Sequence, residues 1–543
     1  MVVKLNESLC LQANELVKRD VQVTKKNLEY LREQTICQPQ WIHFGGGNLY
    51  RGFHAEVAQE LINQGKLETG VIVCETYDEN IIDDAYLPYD NDILEVIMHE
   101  DGTLEKKLLQ STVEAYYCNP DRPESYEAVK AIFENASLQF ATFTITEKGY
   151  SLTDINGNYT ALVEKDIAEG PDSVEHTMAI VASLLLARFN AGQLPIAMVT
   201  TDNFSQNGQK FQDSILGIAK GWVEKDYAPQ AFVDYLEDSN KVSFPWSMID
   251  RITPNPSESV KTALENEGFE GVELIHTPKH TNIAPFANTE VSHYLVIEDS
   301  FPNGRPELEA AGVILTDRDT VDKADTMKVT TCLNPLHTSL AVFGNLLGFT
   351  SISGEMADED LVDLVKQVGY VEGLPVVVNP EIIDPKDFID EVVKKRLVNS
   401  NIPDTPQRIA SDTSQKVAIR FGETIKKYVE SDTLSVDDLT FIPLTLAAWV
   451  RYLLGVDDNG ESFAISPDPL LTDLQAQLSD VTLGFTGNLH DKVAPILSNE
   501  KIFGLDLYVA GLGEKIEGYF AELLAGSGAV RNTLQALLVE NKK

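Results

Sequence analysis

Residues 328–337 read KVTTCLNPLH, and three of these side chains could share one reaction. Moving a hydride between a nicotinamide and a carbonyl also requires moving a proton to or from the oxygen, and without a metal a side chain has to do it. Lys328 is the candidate acid and base, a duty that suits a lysine once burial eases loss of its proton. Asn334, and Asn203 in the upstream stretch TTDNFSQNG, can donate amide hydrogens to charge developing on the oxygen. His337 can bind or orient a neighbouring hydroxyl, and its spacing of three from Asn334 puts both on one face of a helix. Each residue also has a plainer reading: a solvated lysine, a capping pair at a helix start, a turn asparagine.

A second set of residues could hold the nucleotide. In GGGNLYRGF at 45–53 the glycines follow the short apolar run WIHF. Gly45 can make the tight turn, and Gly47, without a side chain, lets a pyrophosphate approach the amides of a following helix. The third glycine of a full GxGxxG is replaced by Tyr50. The next apolar run, VIVCE, ends at Glu75, 28 residues beyond Gly47. A carboxylate there can accept the adenosine ribose hydroxyls and repels a 2′-phosphate, which favours NAD over NADP; Asp78 could serve instead, and a solvated acid at a strand end is the bland alternative. A YxxxK pair, Tyr126 and Lys130, lies in DRPESYEAVKAIFENAS, which reads as a polar surface helix rather than a catalytic one.

These residues need elements to carry them. A chain of 543 residues exceeds what one core ordinarily organises, so two large domains are expected. Strand, glycine turn, helix and strand follow one another from 41 to 75, and FATFTIT at 140–146 and PIAMVTT at 195–201 read as buried parallel strands. HTMAIVASLLLARFNAG at 176–192 reads as the helix between them. The first domain is therefore a Rossmann-type α/β unit with a parallel sheet, residues 1–280, whose first 38 residues form a helical extension. Residues 281–543 are expected to form a mostly α-helical domain, with the boundary in HTPKHTNIAPF.

Composition narrows the partners. With 43 basic against 84 acidic side chains the net charge is -41, which repels nucleic acid and anionic lipid surfaces. No apolar run is long enough to span a bilayer and the N-terminus has no signal-peptide core, so a cytoplasmic location is expected. Five widely spaced cysteines with no CxxC, and no HExxH, argue against disulfides and a metal site.

Several stretches together resemble the polyol-specific long-chain dehydrogenases, the mannitol dehydrogenase family. HFGGGNLYRGFH is similar to its cofactor loop and TITEKGYSL at 144–152 to its signature strand. TDNFSQNG, FPWSMIDRITP, EDSFPNGRP and LNPLHTSLAVFGNLLGF resemble its later blocks, in order, from about residue 40 to beyond 420. The resemblance implies a metal-independent, NAD-dependent oxidoreductase with Lys328 as general acid/base, Asn203 and Asn334 as oxyanion donors, and His337 as a substrate ligand. It also implies that Asp250 contacts substrate hydroxyls and that Asp325 links the lysine to proton exchange with solvent. Cofactor contacts are implied for Gly45, Gly46, Gly47, Asn48, Leu49, Arg51, Glu75, Thr146 and Glu147.

Two departures stand out. The family places five steps between lysine and asparagine and eight between lysine and histidine, whereas Lys328 lies six and nine steps from Asn334 and His337. A one-residue bulge between 329 and 333 is expected to absorb the difference. Pro335 replaces the usual glycine and suits a helix beginning near 335 or 336.

Chain length and the CLNPLH variant favour the hexuronate branch, interconverting fructuronate and mannonate, with tagaturonate and mannitol as alternative substrates. Such a substrate carries a carboxylate, for which Arg51, Arg251 and Arg396 are the candidate cations. A non-catalytic NAD(H)-sensing module is the alternative of another class. Oligomeric state is not legible.

Overall fold

The computed structural model describes residues 2–154 and 156–541. Its chain divides into two compact units, 1–322 and 323–543.

In the first unit six strands run parallel in one sheet: β1 (Trp41–Phe44), β2 (Val71–Glu75), β3 (Thr112–Tyr117), β4 (Phe140–Phe143), β5 (Ile196–Thr200) and β6 (Val242–Ser243). Their order is β6-β5-β4-β1-β2-β3, the doubly wound dinucleotide-binding order of a Rossmann sheet. The strands read as continuous apolar runs because both faces are covered. Ile42, Phe44, Ile72, Ala141 and Phe143 enter one core with α2 (Thr177–Asn190), while Trp41, Val71, Val73 and Phe140 enter another with α1 (Ala55–Gln64).

Two further sheets of more than two strands lie among the described residues of this unit. One joins Val21–Gln22, Leu104–Leu109, Ile93–Met98 and Phe286–Glu290; the other joins Ser247–Asp250, Tyr294–Glu298 and Ile314–Thr316. They explain two differences from expectation. Residues 286–316 supply strands that pair with partners at 93–98 and 247–250, so the units divide inside α3 (Arg318–Met327) rather than near 280. The first 38 residues form helices at Ala13–Val17 and Leu28–Cys37, but also two short edge strands, Val3–Lys4 and Val21–Gln22, on Phe269–Glu270 and Lys106–Lys107.

The second unit is helical. Its helices include α4 (Asn334–Leu347), α5 (Glu423–Glu430) and α6 (Phe441–Tyr452), the last buried at every residue. The first amides of α6 have no intrahelical acceptor, and the buried Glu372 carboxylate receives those of Thr440, Phe441 and Ile442 at 2.8, 2.6 and 2.7 Å. Burial pushes that carboxyl up to about 7 against the pull of the three amides. No helix among the described residues is long and apolar enough to cross a membrane.

π turns are rare in proteins, yet five occur among the described residues: Tyr50–His54, Lys328–Cys332, Gln367–Gly373, Val392–Arg396 and Ala418–Gly422. Four of them carry residues considered below.

Candidate active site

The glycine loop is shaped by close packing. Gly45 has φ +103°, and a Cβ there would meet the Thr144 carbonyl oxygen at 2.1 Å. Gly47 is different: a Cβ would meet nothing within 4 Å, so its lack of a side chain leaves open space beside the helix that starts at Asn48. Leu49 is partly buried and leads into the π turn Tyr50–His54. That turn lets Tyr50 take the place of the third glycine, with its ring 4.4 Å from that of His43 and its hydroxyl 2.8 Å from that of Thr112.

Glu75 lies at the expected strand end, but its carboxylate is engaged. One oxygen accepts the Gly46 amide at 3.1 Å and the other accepts the Thr76 and Tyr77 amides, each at 3.0 Å. Burial raises its pKa while those amides oppose the shift. Glu75 therefore braces the loop rather than standing free for a ribose. Asp78 accepts the Thr277 and Thr281 hydroxyls through Oδ2, both at 2.6 Å, and its Oδ1 is buried with no partner. Asn48 donates to the Asn282 carbonyl at 3.0 Å and its Oδ1 is likewise unpartnered. Open space over Gly47, a helix N-terminus and two orphaned oxygens fit a dinucleotide.

Downstream, Thr146 has φ +65° and is exposed; its amide and that of Ile145 each donate to Asp202 at 2.9 Å. Glu147 is exposed and pairs with Lys210 at 2.6 Å. Asn203 is exposed in the segment after β5. Asp250 ends the strand Ser247–Asp250 and is buried.

Two expected cations are not presented to a substrate. Arg51 is fully buried, donating to the carbonyls of Ala85 at 3.2 Å and Ala284 at 2.6 Å, because its π turn points it into the core over Tyr86. Arg251 is buried against Glu56 and Glu95 and donates to the Glu290 carbonyl at 3.2 and 3.1 Å. Burial would raise the Glu56 carboxyl, but Arg251 and Lys107 override it and hold it at about 2, whereas burial, with Glu56 alongside, pushes Glu95 up to about 8. The charge of Arg251 is already met.

In the helical unit, Lys328 opens the π turn Lys328–Cys332, closed by the Leu333 amide donating to the Lys328 carbonyl at 3.1 Å. This is the expected one-residue bulge. Lys328 is 1% exposed while Val329 is partly exposed, and the ammonium lies 3.5 Å from Asp325 Oδ1. The Thr424 hydroxyl on α5 donates to the Thr330 carbonyl at 3.2 Å and ties the turn down. Helix α4 begins at Asn334, with Pro335 in its first turn where no amide is needed. Asn334 and His337 are partly exposed between buried neighbours, on the shared face expected of them. Burial pushes the His337 imidazole down to about 4, with Asp404 pulling up and Arg396, Arg420 and Arg408 pushing down. It is therefore neutral at pH 7, a hydrogen-bonding group and not a cation. Arg396 is buried at the end of the π turn Val392–Arg396 and contributes to the field at His337.

Profiles of two domains match the chain: the mannitol dehydrogenase Rossmann domain over residues 39–310 and the mannitol dehydrogenase C-terminal domain over 320–523. The chain belongs to the mannitol dehydrogenase family. It is an oxidoreductase acting on a CH–OH group. The D-mannonate oxidoreductase of Thermotoga maritima is 51% identical over 514 residues, covering 94% of this chain and 95% of its own. A mannitol 2-dehydrogenase of Phaeosphaeria nodorum is 28% identical over 65% of this chain and 58% of its own. Among solved structures, Pseudomonas fluorescens mannitol 2-dehydrogenase, a ternary complex with NAD and D-mannitol, aligns with TM-score 0.72 at 24% identity over 99% of this chain and 100% of its own. A substrate-free D-sorbitol dehydrogenase aligns with TM-score 0.78 at 22% identity, over 95% and 97%. Both share the fold.

This mannitol dehydrogenase family member also relies on residues that spacing did not single out. Asp202, next to Asn203, holds the 145–146 turn and accepts the Tyr150 hydroxyl at 2.7 Å; burial raises its pKa. Asn207 donates to Ser247 and accepts its amide at 3.0 Å, fastening the Asn203 loop to the strand that carries Asp250. Both stand in TTDNFSQNG, so the motif held the signal, but a buried polar anchor and an exposed polar residue look alike in sequence. The YxxxK pair is structural: Tyr126 bonds Ser183 and Lys130 pairs with Glu127 at 3.7 Å.

Proposed function

We propose that this oxidoreductase interconverts D-fructuronate and D-mannonate with NAD(H). One observation carries the reading: 51% identity over nearly the full length of a protein named D-mannonate oxidoreductase. The nucleotide-binding strand order, the open space over Gly47 and the unpartnered Asp78 Oδ1 just beyond β2 support a dinucleotide without a 2′-phosphate.

Bound NADH would supply the hydride. Lys328 gives a proton to the carbonyl oxygen in reduction and takes it back in oxidation, and Asp325 at 3.5 Å is the group through which that proton is replenished. Asn334 and Asn203 donate amide hydrogens to the oxygen as charge builds on it. His337, neutral, binds a substrate hydroxyl, as does Asp250. Burial of Lys328 keeps its ammonium from bulk water, which strengthens its interaction with a developing alkoxide.

The test is the full chain with NADH or NADPH against fructuronate, tagaturonate and fructose, read as loss of reduced-nicotinamide absorbance. The reading requires fructuronate with NADH to give the highest kcat/KM. No turnover of any of the three with NADH bound supports a sensing protein instead.

A further inference from the structure

We propose that Arg420 anchors the substrate carboxylate, the group that distinguishes a keto-hexuronate from an uncharged ketose. The proposal rests on the hexuronate reading above and names a residue for it.

Arg420 lies in the π turn Ala418–Gly422, which leads into α5. Its Nη1 donates to the Thr338 hydroxyl at 2.7 Å, and that hydroxyl donates to the Asn334 carbonyl at 3.0 Å. Two hydrogen bonds therefore fix the guanidinium against the first turn of α4, beside the partly exposed Asn334 and His337. Among the described residues Thr338 is its hydrogen-bond partner and no carboxylate pairs with it. Arg51, Arg188 and Arg451 are fully buried and each donate to at least two backbone carbonyls, whereas Arg420 is only partly buried. Arg420 alone among these has most of its fork unspent on backbone, and its partial exposure leaves that fork within reach of a ligand.

The neighbouring acids are engaged elsewhere or uncharged, and none among the described residues is matched to Arg420. Asp404, the acid acting on His337, is matched by Arg408 at 2.8 Å. Glu355 next to it is buried and its carboxyl is pushed up to about 9, so it carries no charge at neutral pH. His337 is neutral and Arg420 remains positive, while Lys416 lies in the field of Asp412 and Asp468. Desolvation lowers the Arg420 guanidinium only to about 10. A guanidinium held in place by one hydroxyl and matched by no acid calls for an anion, and its planar fork meets a carboxylate through two parallel hydrogen bonds. An uncharged polyol offers no such group.

The experiment compares full-length wild type, Arg420→Gln and Arg420→Lys with NADH, on fructuronate and on fructose. Losing a charge-assisted pair should lower the ratio of kcat/KM for fructuronate to that for fructose by about 10- to 100-fold in the glutamine variant, mostly through KM. The lysine variant, with its charge but no fork, should fall between. Equal losses on both substrates would mean that Arg420 merely positions Thr338 and α4, and would overturn the proposal while leaving the hexuronate reading intact. Wild type that reduces fructose but not fructuronate overturns the hexuronate reading and the anchor together. If Arg420→Gln fails to fold, the same ratio measured on Arg420→Lys decides.

Discussion

The Lys328 ammonium lies 3.5 Å from the carboxylate of Asp325, one helical turn earlier, and both side chains are buried. The pair sits where α3 gives way to a π turn, so its placement depends on a backbone irregularity.

Replacing Lys328 with alanine should lower kcat by about 10²- to 10⁴-fold, the usual worth of a general acid or base. NADH binding, followed by fluorescence titration, should stay within about twofold, since a lost proton donor acts on the chemical step. Near-normal turnover would remove Lys328 from the reaction.

Deleting Val329 shortens the path from Lys328 to Asn334 from six steps to five. A π turn holds one more residue than an α turn, so the deletion should close the turn as regular α-helix and keep Lys328 on the same side. Fructuronate turnover within about tenfold of wild type is expected. A loss as large as that of Lys328→Ala would show that the π geometry itself is required.

The two loop glycines should fail in different ways. Gly45→Ala places a Cβ 2.1 Å from the Thr144 carbonyl oxygen at a backbone φ of +103°, and should cost several kcal/mol in urea unfolding, on the order of the large effects of strain and overpacking. Gly47→Val meets open space and should leave the unfolding midpoint little changed, while blocking the approach of a pyrophosphate and weakening NADH binding by about tenfold or more. Equal NADH affinity in Gly47→Val and wild type would place the dinucleotide elsewhere.

Glu355 predicts a pH dependence. Its carboxyl, pushed by burial to about 9 against an ordinary 4.5, holds its proton in the folded state over a range where the unfolded chain has lost it. Its contribution to stability is therefore full below pH 4.5 and is lost as pH rises through 9, at a slope of at most about 1.4 kcal/mol per pH unit. Glu355→Gln cannot ionise, so its Tm should gain on wild type steadily from pH 5 to pH 9. Parallel Tm curves would show that Glu355 is ionised in the fold. Room for this acid depends on Gly344 of α4, where a Cβ would meet Glu355 Oε1 at 1.9 Å.

Much of this was legible before any coordinates. The runs WIHF, VIVCE, FATFTIT and PIAMVTT are apolar on both faces, which is what a doubly covered parallel strand must be, and each contains its strand. One surplus step between Lys328 and Asn334 called for a bulge, and the π turn Lys328–Cys332 supplies it. The side sheets were less visible. ILEVIM at 93–98 is buried at every position, yet its partners lie close by in one direction and almost two hundred residues away in the other, at 286–290. That distant pairing is why the first unit extends to 322.

What the sequence determined by itself was the inventory: which segments alternate as strand and helix, which residue types could move a proton or receive a phosphate, and the family to which their order belongs. Only the tertiary structure decided how each charge is used. Arg51, Arg251 and Arg420 are the same residue type, but the first donates to backbone carbonyls, the second is neutralised by Glu56, and the third keeps an unmatched guanidinium beside Thr338. The reason is that the availability of a charge depends on its desolvation and its partners, and both are set by residues brought together from distant parts of the chain.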